Sequence, residues 1–294
     1  MTRRLTIIPN TTMKDLSLIP RIRMQREGLT DTEKRVVDWI LDPSKFSENT
    51  ALSEVAEALS LSEALIVKVA KLLGFTGFRD LRRQVAACLA HLDPEPIELS
   101  RQDTTQDLID KVFNVSLQTI VEGKSILRSD VIEAAAKCFF NAKNRDLYAA
   151  GGSNSICDDI AHKFLRVGIR CNGYKDVHLM MMSASLLSAD DVVLVVSHSG
   201  KTTDLLRVVK QARENGAKII CITHSDVSPI ASLADFVICS PAPDTPLLGK
   251  NASARILQLV LVDVFFTAVI QQNRQMAKNN LEKTVQATEY FRMK

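Results

Sequence analysis

Between residues 29 and 90 apolar side chains recur three and four positions apart, and after residue 145 short apolar runs alternate with amphipathic stretches. The first spacing is that of helices and the second that of strands alternating with helices. "LTDTEKRVVDWIL" (29–41) sets Val36, Val37, Ile40 and Leu41 on one stripe, and Thr30 with Glu33 three residues later forms a capping box. "ALSEVAEALSLSEALIVKVAKLLGFTGF" (51–78) carries Leu52, Val55, Ala56 and Leu59 on one face, then Ile66, Val69, Leu72 and Leu73 on the next. Between them Ser60-Leu61-Ser62 leaves room only for a tight turn, with Ser62 capping the second helix and Gly74 ending it. Two short helices joined in this way are the sequence form of a helix-turn-helix. The second helix is expected to expose Ser62, Ala64, Leu65, Lys68 and Lys71.

After residue 145 the runs "LYAAG", "IRCNGY", "VVLVVS", "KIICITH" and "FVICS" read as five strands. Helical stretches separate them around 156–168, 177–188, 203–215 and 228–234. Near-continuous apolar strands in alternation with helices predict an α/β class, a doubly wound five-stranded parallel sheet covered on both faces. The segment "HLDPEPIELSRQDTT" (91–105) has two prolines, alternating acids and no periodicity, the signature of a linker. The expected organisation is a tail (1–16), an all-α helix-turn-helix domain (17–90), the linker (91–105) and the α/β domain (106–294).

Charge changes this picture in one respect. Residues 1–90 hold 14 Lys and Arg against 11 Asp and Glu, whereas the remainder balances, so the whole excess of +3 lies at the N-terminus. A solvated helical face would account for lysines alone. The polar residues, however, gather at the start of the second helix, small side chains there allow approach to base edges, and Arg79, Arg82 and Arg83 extend the positive charge; double-stranded DNA is the expected partner. Apolar residues at 46% and charged residues at 24% match an ordinary globular protein. The apolar segments are interrupted or too short for a bilayer span, and the basic start lacks a following apolar stretch, so a cytoplasmic protein with no membrane partner is expected. Six cysteines without a C-x-x-C pair read as buried reduced thiols, and neither a metal nor a cofactor is expected. The long C-terminal stretch from Ala252 to Phe291 has apolar residues on several helical faces, and Met180 to Met182 sit on an apolar helix; both suit a core or a subunit interface.

The stretch "VVLVVSHSGKTTD" (192–204) carries the chemistry. A nucleotide P-loop would need glycine where Val195 stands, and Ser197 and Ser199 lack a nucleophile elbow. Two loops follow strands with glycines that let backbone amides approach an anion and hydroxyls that donate to it: Gly152, Ser153, Asn154 and Ser155 in the first, Ser197, His198, Ser199, Gly200, Lys201 and Thr202 in the second. At helix N-termini such loops form a phosphate cradle. Residues 106–294 resemble a sugar isomerase (SIS) domain, whose phosphosugar site uses a glycine-serine turn and the S-x-S-G-x-T motif found at 197–202. The N-terminal part resembles the helix-turn-helix of RpiR-type transcriptional regulators, with "LLGFTGFRDLR" similar to their "LGF-x-GF" signature. The resemblance implies a sugar-phosphate-responsive DNA-binding regulator of sugar metabolism, a repressor in the expected case, that assembles as a dimer or tetramer. Leu65 and Lys68 depart from the threonine and arginine common in that recognition helix, so the operator does not carry over. The alternative is an aldose-ketose isomerase, with His198 or His224 as base. No paired acid stands nearby, and "LLGKNASARIL" has no carboxylate where isomerases of this fold commonly supply a glutamate, so no catalytic residue is expected.

Overall fold

The computed structural model describes residues 17–90, 100–242, 252–289 and 291. The tail 1–16 and residues 91–99 of the linker lie outside them. The chain divides into two compact units, 1–126 and 127–294.

The first unit is all helical: α1 (Leu18–Arg26), α2 (Asp31–Ile40), α3 (Leu52–Leu59), α4 (Glu63–Leu72), α5 (Phe78–Leu89) and α6 (Thr105–Ile126). The capping box at Thr30 forms as the sequence implies: the Thr30 hydroxyl accepts from the Glu33 backbone and the Glu33 carboxylate accepts from the Thr30 backbone. Helix α3 closes on Ser60 in the left-handed region (φ 54°), and the Leu61 amide donates back to the Ala56 carbonyl at 2.9 Å. The Ser62 side chain then accepts from the Leu65 amide at 3.3 Å, starting α4 at once. Gly74 (φ +89°) ends α4 and lets the Phe75 amide reach the Ala70 carbonyl at 3.0 Å. Val36, Val37, Ile40, Val55, Ile66, Val69 and Val85 are buried together in one core.

The sequence reading placed 106–126 in the second domain, whereas α6 belongs to the compact first unit. It opens behind a reciprocal pair in which Thr104 Oγ1 accepts from the Asp107 amide and the Asp107 carboxylate accepts from the Thr104 amide. Arg23 of α1 holds it by an ion pair to the buried Glu122 at 2.5 Å.

The second unit runs α7 (Ser129–Asn141), β1 (Arg145–Ala149), α8 (Asn154–Arg166), β2 (Asn172–Tyr174), α9 (Val177–Leu186), β3 (Val192–Val196), α10 (Thr203–Glu214), β4 (Lys218–Thr223), β5 (Phe236–Cys239), α11 (Ala252–Ile270) and α12 (Arg274–Glu289). All five strands are parallel in the order β2-β1-β3-β4-β5. Alternate residues feed two cores. Leu147, Leu194 and Ile220 meet α7, α8 and α11 on one face, whereas Tyr148, Val193, Val195 and Cys221 meet α9 and α10 on the other. Every residue of Val192–Val196 is therefore buried, which explains why that run lacks polar alternation.

The helix expected around 228–234 is only a 3-10 turn, Ala231–Leu233; Pro229 and the short distance to β5 leave no room for an α-helix. Helix α11 is apolar and long enough to cross a membrane by length and composition, yet its Leu257, Leu261, Val262, Phe265 and Val269 pack into the core. All six cysteines are free, and burial pushes the thiols of Cys157 and Cys171 up to about 12, which makes them poor nucleophiles.

Candidate functional site

The sheet order reverses direction at β1 and β3, which lie side by side while the helices that follow them, α8 and α10, pack on opposite faces. A crevice opens at the carboxyl ends of strands at such a switch point. Register sharpens the argument: Ala149 pairs with Val196, so both strands end level and the two loops chosen from the sequence start at one height. They enclose a cavity of about 130 Å³.

Six of the ten loop residues singled out from the sequence line this cavity: Gly152, Ser153, Ser197, His198, Ser199 and Thr202. Ser197 is buried, and its amide is tied to the Ile222 carbonyl at 3.0 Å. Thr202 is the N-cap of α10 without spending its hydroxyl on a cap hydrogen bond, and Ser153 stands likewise at the start of α8. These hydroxyls, with the first amides of two helices, are available to an anion. Gly200 has φ +62° and shapes the turn from beneath, with its carbonyl accepting from the Ile230 amide at 3.1 Å. The remaining expected residues do not line the cavity. Ser155 is exposed and donates to the Gly152 carbonyl at 2.9 Å, Lys201 is exposed, and Asn154 is half-buried outside the lining.

Two lining residues escaped the sequence reading. Arg255 and Gln258 reach the cavity from α11. A Cβ built on Gly152 would lie 2.5 Å from Arg255 Nη2, so the guanidinium lies directly against the glycine turn. The signal was an arginine near the start of a long apolar helix, visible but without an indication of what that helix faces. His198 packs its ring edge-on to His224, with centroids 5.2 Å apart. Among the described lining residues none is a carboxylate.

On the first unit, α4 presents Ala64, Lys68 and Lys71 to solvent, with Ser62 and Glu63 exposed at its start. Leu65, expected on that surface, is half-buried, and Leu72, expected in the core, is 50% exposed. The core stripe runs Ile66, Val69, Ala70, Leu73, which turns Leu72 outward beside Lys68 and Lys71, while Val67 and Ala64 complete a shallow apolar concavity between the lysines. Lys68 Nζ donates to Glu33 at 3.0 Å. Lys71 has no carboxylate partner among the described residues. Arg82 is spent on the Thr50 carbonyl at 3.0 Å and Arg83 on Asp80 at 2.9 Å, while Arg79 remains exposed.

The Thr30 backbone hydrogen bond, then Lys68, hold the Glu33 carboxyl down from 4.5 to about 2. A depressed carboxylate contributes stability that is complete above its unfolded pKa and is lost as pH falls through the folded one. Glu33→Gln is accordingly expected to flatten the fall in melting temperature between about pH 4.5 and pH 2, read by circular dichroism of the full chain. An unchanged acid profile would refute this role for Glu33.

Comparison with known proteins follows the same division. Residues 16–91 match the helix-turn-helix domain of the rpiR family, and residues 138–268 match the SIS domain. The HTH-type transcriptional regulator RpiR of Escherichia coli strain K12 is 55% identical over 94% of this chain and 94% of its own length. The Vibrio vulnificus NanR protein, solved in complex with ManNAc-6P, covers 93% of this chain and 98% of its own with a TM-score of 0.60 at 22% identity. The sugar isomerase domain of an RpiR transcription factor from Sphaerobacter thermophilus covers 62% of this chain and 99% of its own, with a TM-score of 0.56 at 20% identity.

Proposed function

Because this chain belongs to the RpiR family of helix-turn-helix transcriptional regulators, we propose that it is a repressor of sugar-metabolism genes controlled by a pentose or hexose phosphate bound in the SIS domain. The observation that carries the effector reading is the cavity between the ends of β1 and β3, where the hydroxyls of Ser153, Ser197, Ser199 and Thr202 meet two helix N-termini and the Arg255 guanidinium. Hydroxyls, backbone amides and a bidentate cation suit a phosphate that is held and not transferred. The protein works in the cytoplasm as a dimer or tetramer, and its α4 enters the major groove of an operator.

Catalysis is not part of this reading. Isomerisation needs a base and an acid across the reacting carbons, whereas His198 packs edge-on against His224, and no carboxylate is among the described lining residues. Purified protein is expected to show no interconversion of pentose or hexose phosphates; turnover lost in His198→Ala would replace a regulator with an enzyme.

The decisive experiment selects genomic fragments with the full-length protein and titrates the enriched duplex with sugar phosphates. A pseudo-palindromic site whose affinity changes with one of them supports the reading. Failure to enrich any site overturns the repressor reading. Ser199→Ala should keep wild-type operator affinity and weaken the effector response at least tenfold, corresponding to about 1.4 kcal/mol, within the range usual for allosteric coupling. A Ser199→Ala protein with a normal response would place the effector elsewhere.

A further inference from the structure

We infer that Gln258 is the specificity-determining residue of the cavity, its side-chain amide donating to an uncharged oxygen, a hydroxyl or carbonyl, of the bound sugar phosphate. This rests on the effector reading above and names what that site measures beyond the phosphate.

Gln258 is 3% exposed, lines the cavity, and its Nε2 has no hydrogen-bond partner. Buried donors in native proteins are almost always satisfied, and leaving one open costs stability. A buried donor with no partner on the wall of a cavity is placed to meet a ligand acceptor. The backbone around it is rigid: Leu257 and Leu261 on the same helix are buried in the core beside Phe265. Arg255 stands three residues earlier, on the same side of α11, and also reaches the cavity.

This pair divides the ligand between them. The guanidinium is a permanent cation beside the hydroxyl loops and draws the phosphate. The amide is neutral at every physiological pH, and with the loop hydroxyls, two helix N-termini and Arg255 at hand for the phosphate, its donor is left for an uncharged oxygen of the sugar. It donates to a hydroxyl or carbonyl without ionising and without acting as a base. A site built around such a donor rejects analogues that offer no acceptor there, because the donor is then left buried and unpaired.

The test is calorimetric titration of the full-length protein with ribose 5-phosphate, glucose 6-phosphate and inorganic phosphate, comparing wild type, Gln258→Met and Ser199→Ala. Methionine keeps the volume and removes the donor. For whichever sugar phosphate binds wild type, Gln258→Met is expected to weaken binding roughly five- to hundredfold while leaving inorganic phosphate unchanged. Its melting temperature should not fall, since an unsatisfied amide has been removed. Ser199→Ala should weaken both ligands. Equal sugar-phosphate affinity in Gln258→Met, or a parallel loss of inorganic phosphate, would overturn the assignment while Ser199→Ala still upholds the site. Normal binding by Ser199→Ala, or no sugar phosphate bound by wild type, removes the effector reading and this inference with it.

Discussion

Gly200→Val is expected to abolish the response to sugar phosphate, with a loss of effector affinity beyond a hundredfold, while operator binding at the N-terminal unit persists. The backbone at Gly200 has φ +62°, a region costly for a β-branched side chain, about 1 to 3 kcal/mol. Space is a second obstacle. A Cβ there would collide with Ser228 Oγ and lie 3.0 Å from Thr223 Oγ1, and the Gly200 carbonyl is held by the Ile230 amide, so the turn cannot move away cheaply. Relief requires lifting the loop off the end of β4 and the segment around Ser228 and Ile230 that follows it. That shift carries Ser199 and Thr202 away from Ser153 and Arg255, which approach from other elements and do not follow. Calorimetry with ribose 5-phosphate and glucose 6-phosphate, beside gel-shift titration of the operator, measures both halves of the claim. Retained effector binding in Gly200→Val would show that the phosphate is not held by this turn.

Much of the site was legible because it is local. The Thr30 and Glu33 capping box, the Ser62 cap and the Gly74 stop each depend on residues within four positions, and each forms. The run Val192–Val196 could be read as a central strand since only burial on both faces tolerates five apolar residues in a row. Two serine-bearing loops at strand ends then imply a shared crevice, and parallel register brings them to one level. What stayed hidden is tertiary. Arg255 and Gln258 are about a hundred residues from the first loop, and no periodicity says that the opening of α11 faces the end of β1. The partner of Lys68, Glu33, lies 35 residues away and is not visible in the helix's own spacing. The outward turn of Leu72 follows from a one-residue error in the stripe: Ile66, Val69, Ala70 and Leu73 satisfy helical spacing better than a set containing Leu72. Helix α6 escaped because its cap, Thr104 and Asp107, sits at the edge of a proline-bearing polar stretch that reads as linker.

Lys68 and Lys71, equivalent in the sequence, should differ sharply in their effect on operator affinity. The Lys68 ammonium is already 3.0 Å from the Glu33 carboxylate, whose pKa is held at about 2 and which therefore stays charged. Part of its field is cancelled, and contacting a phosphate would mean sharing or leaving that partner. Lys71 lies one turn further along α4, exposed beside Leu72, with no carboxylate of its own among the described residues. Each phosphate neutralised by a lysine contributes about 0.9 to the slope of log affinity against log salt. Lys71→Glu removes one phosphate-neutralising charge on each of the two modules of the proposed dimer. The slope should flatten by roughly 2, and at physiological salt affinity should fall by at least about tenfold. Lys68→Glu should cost clearly less in slope, because the charge it removes was already partly neutralised, although the new carboxylate beside Glu33 will also lower the stability of α2 near neutral pH, where both carboxylates are charged. Fluorescence anisotropy of a labelled operator duplex, titrated at several salt concentrations, gives both slopes directly. Equal slopes for the two variants would mean that Lys68 abandons Glu33 on the DNA; a Lys71→Glu protein with wild-type slope would mean that this end of α4 never meets a phosphate.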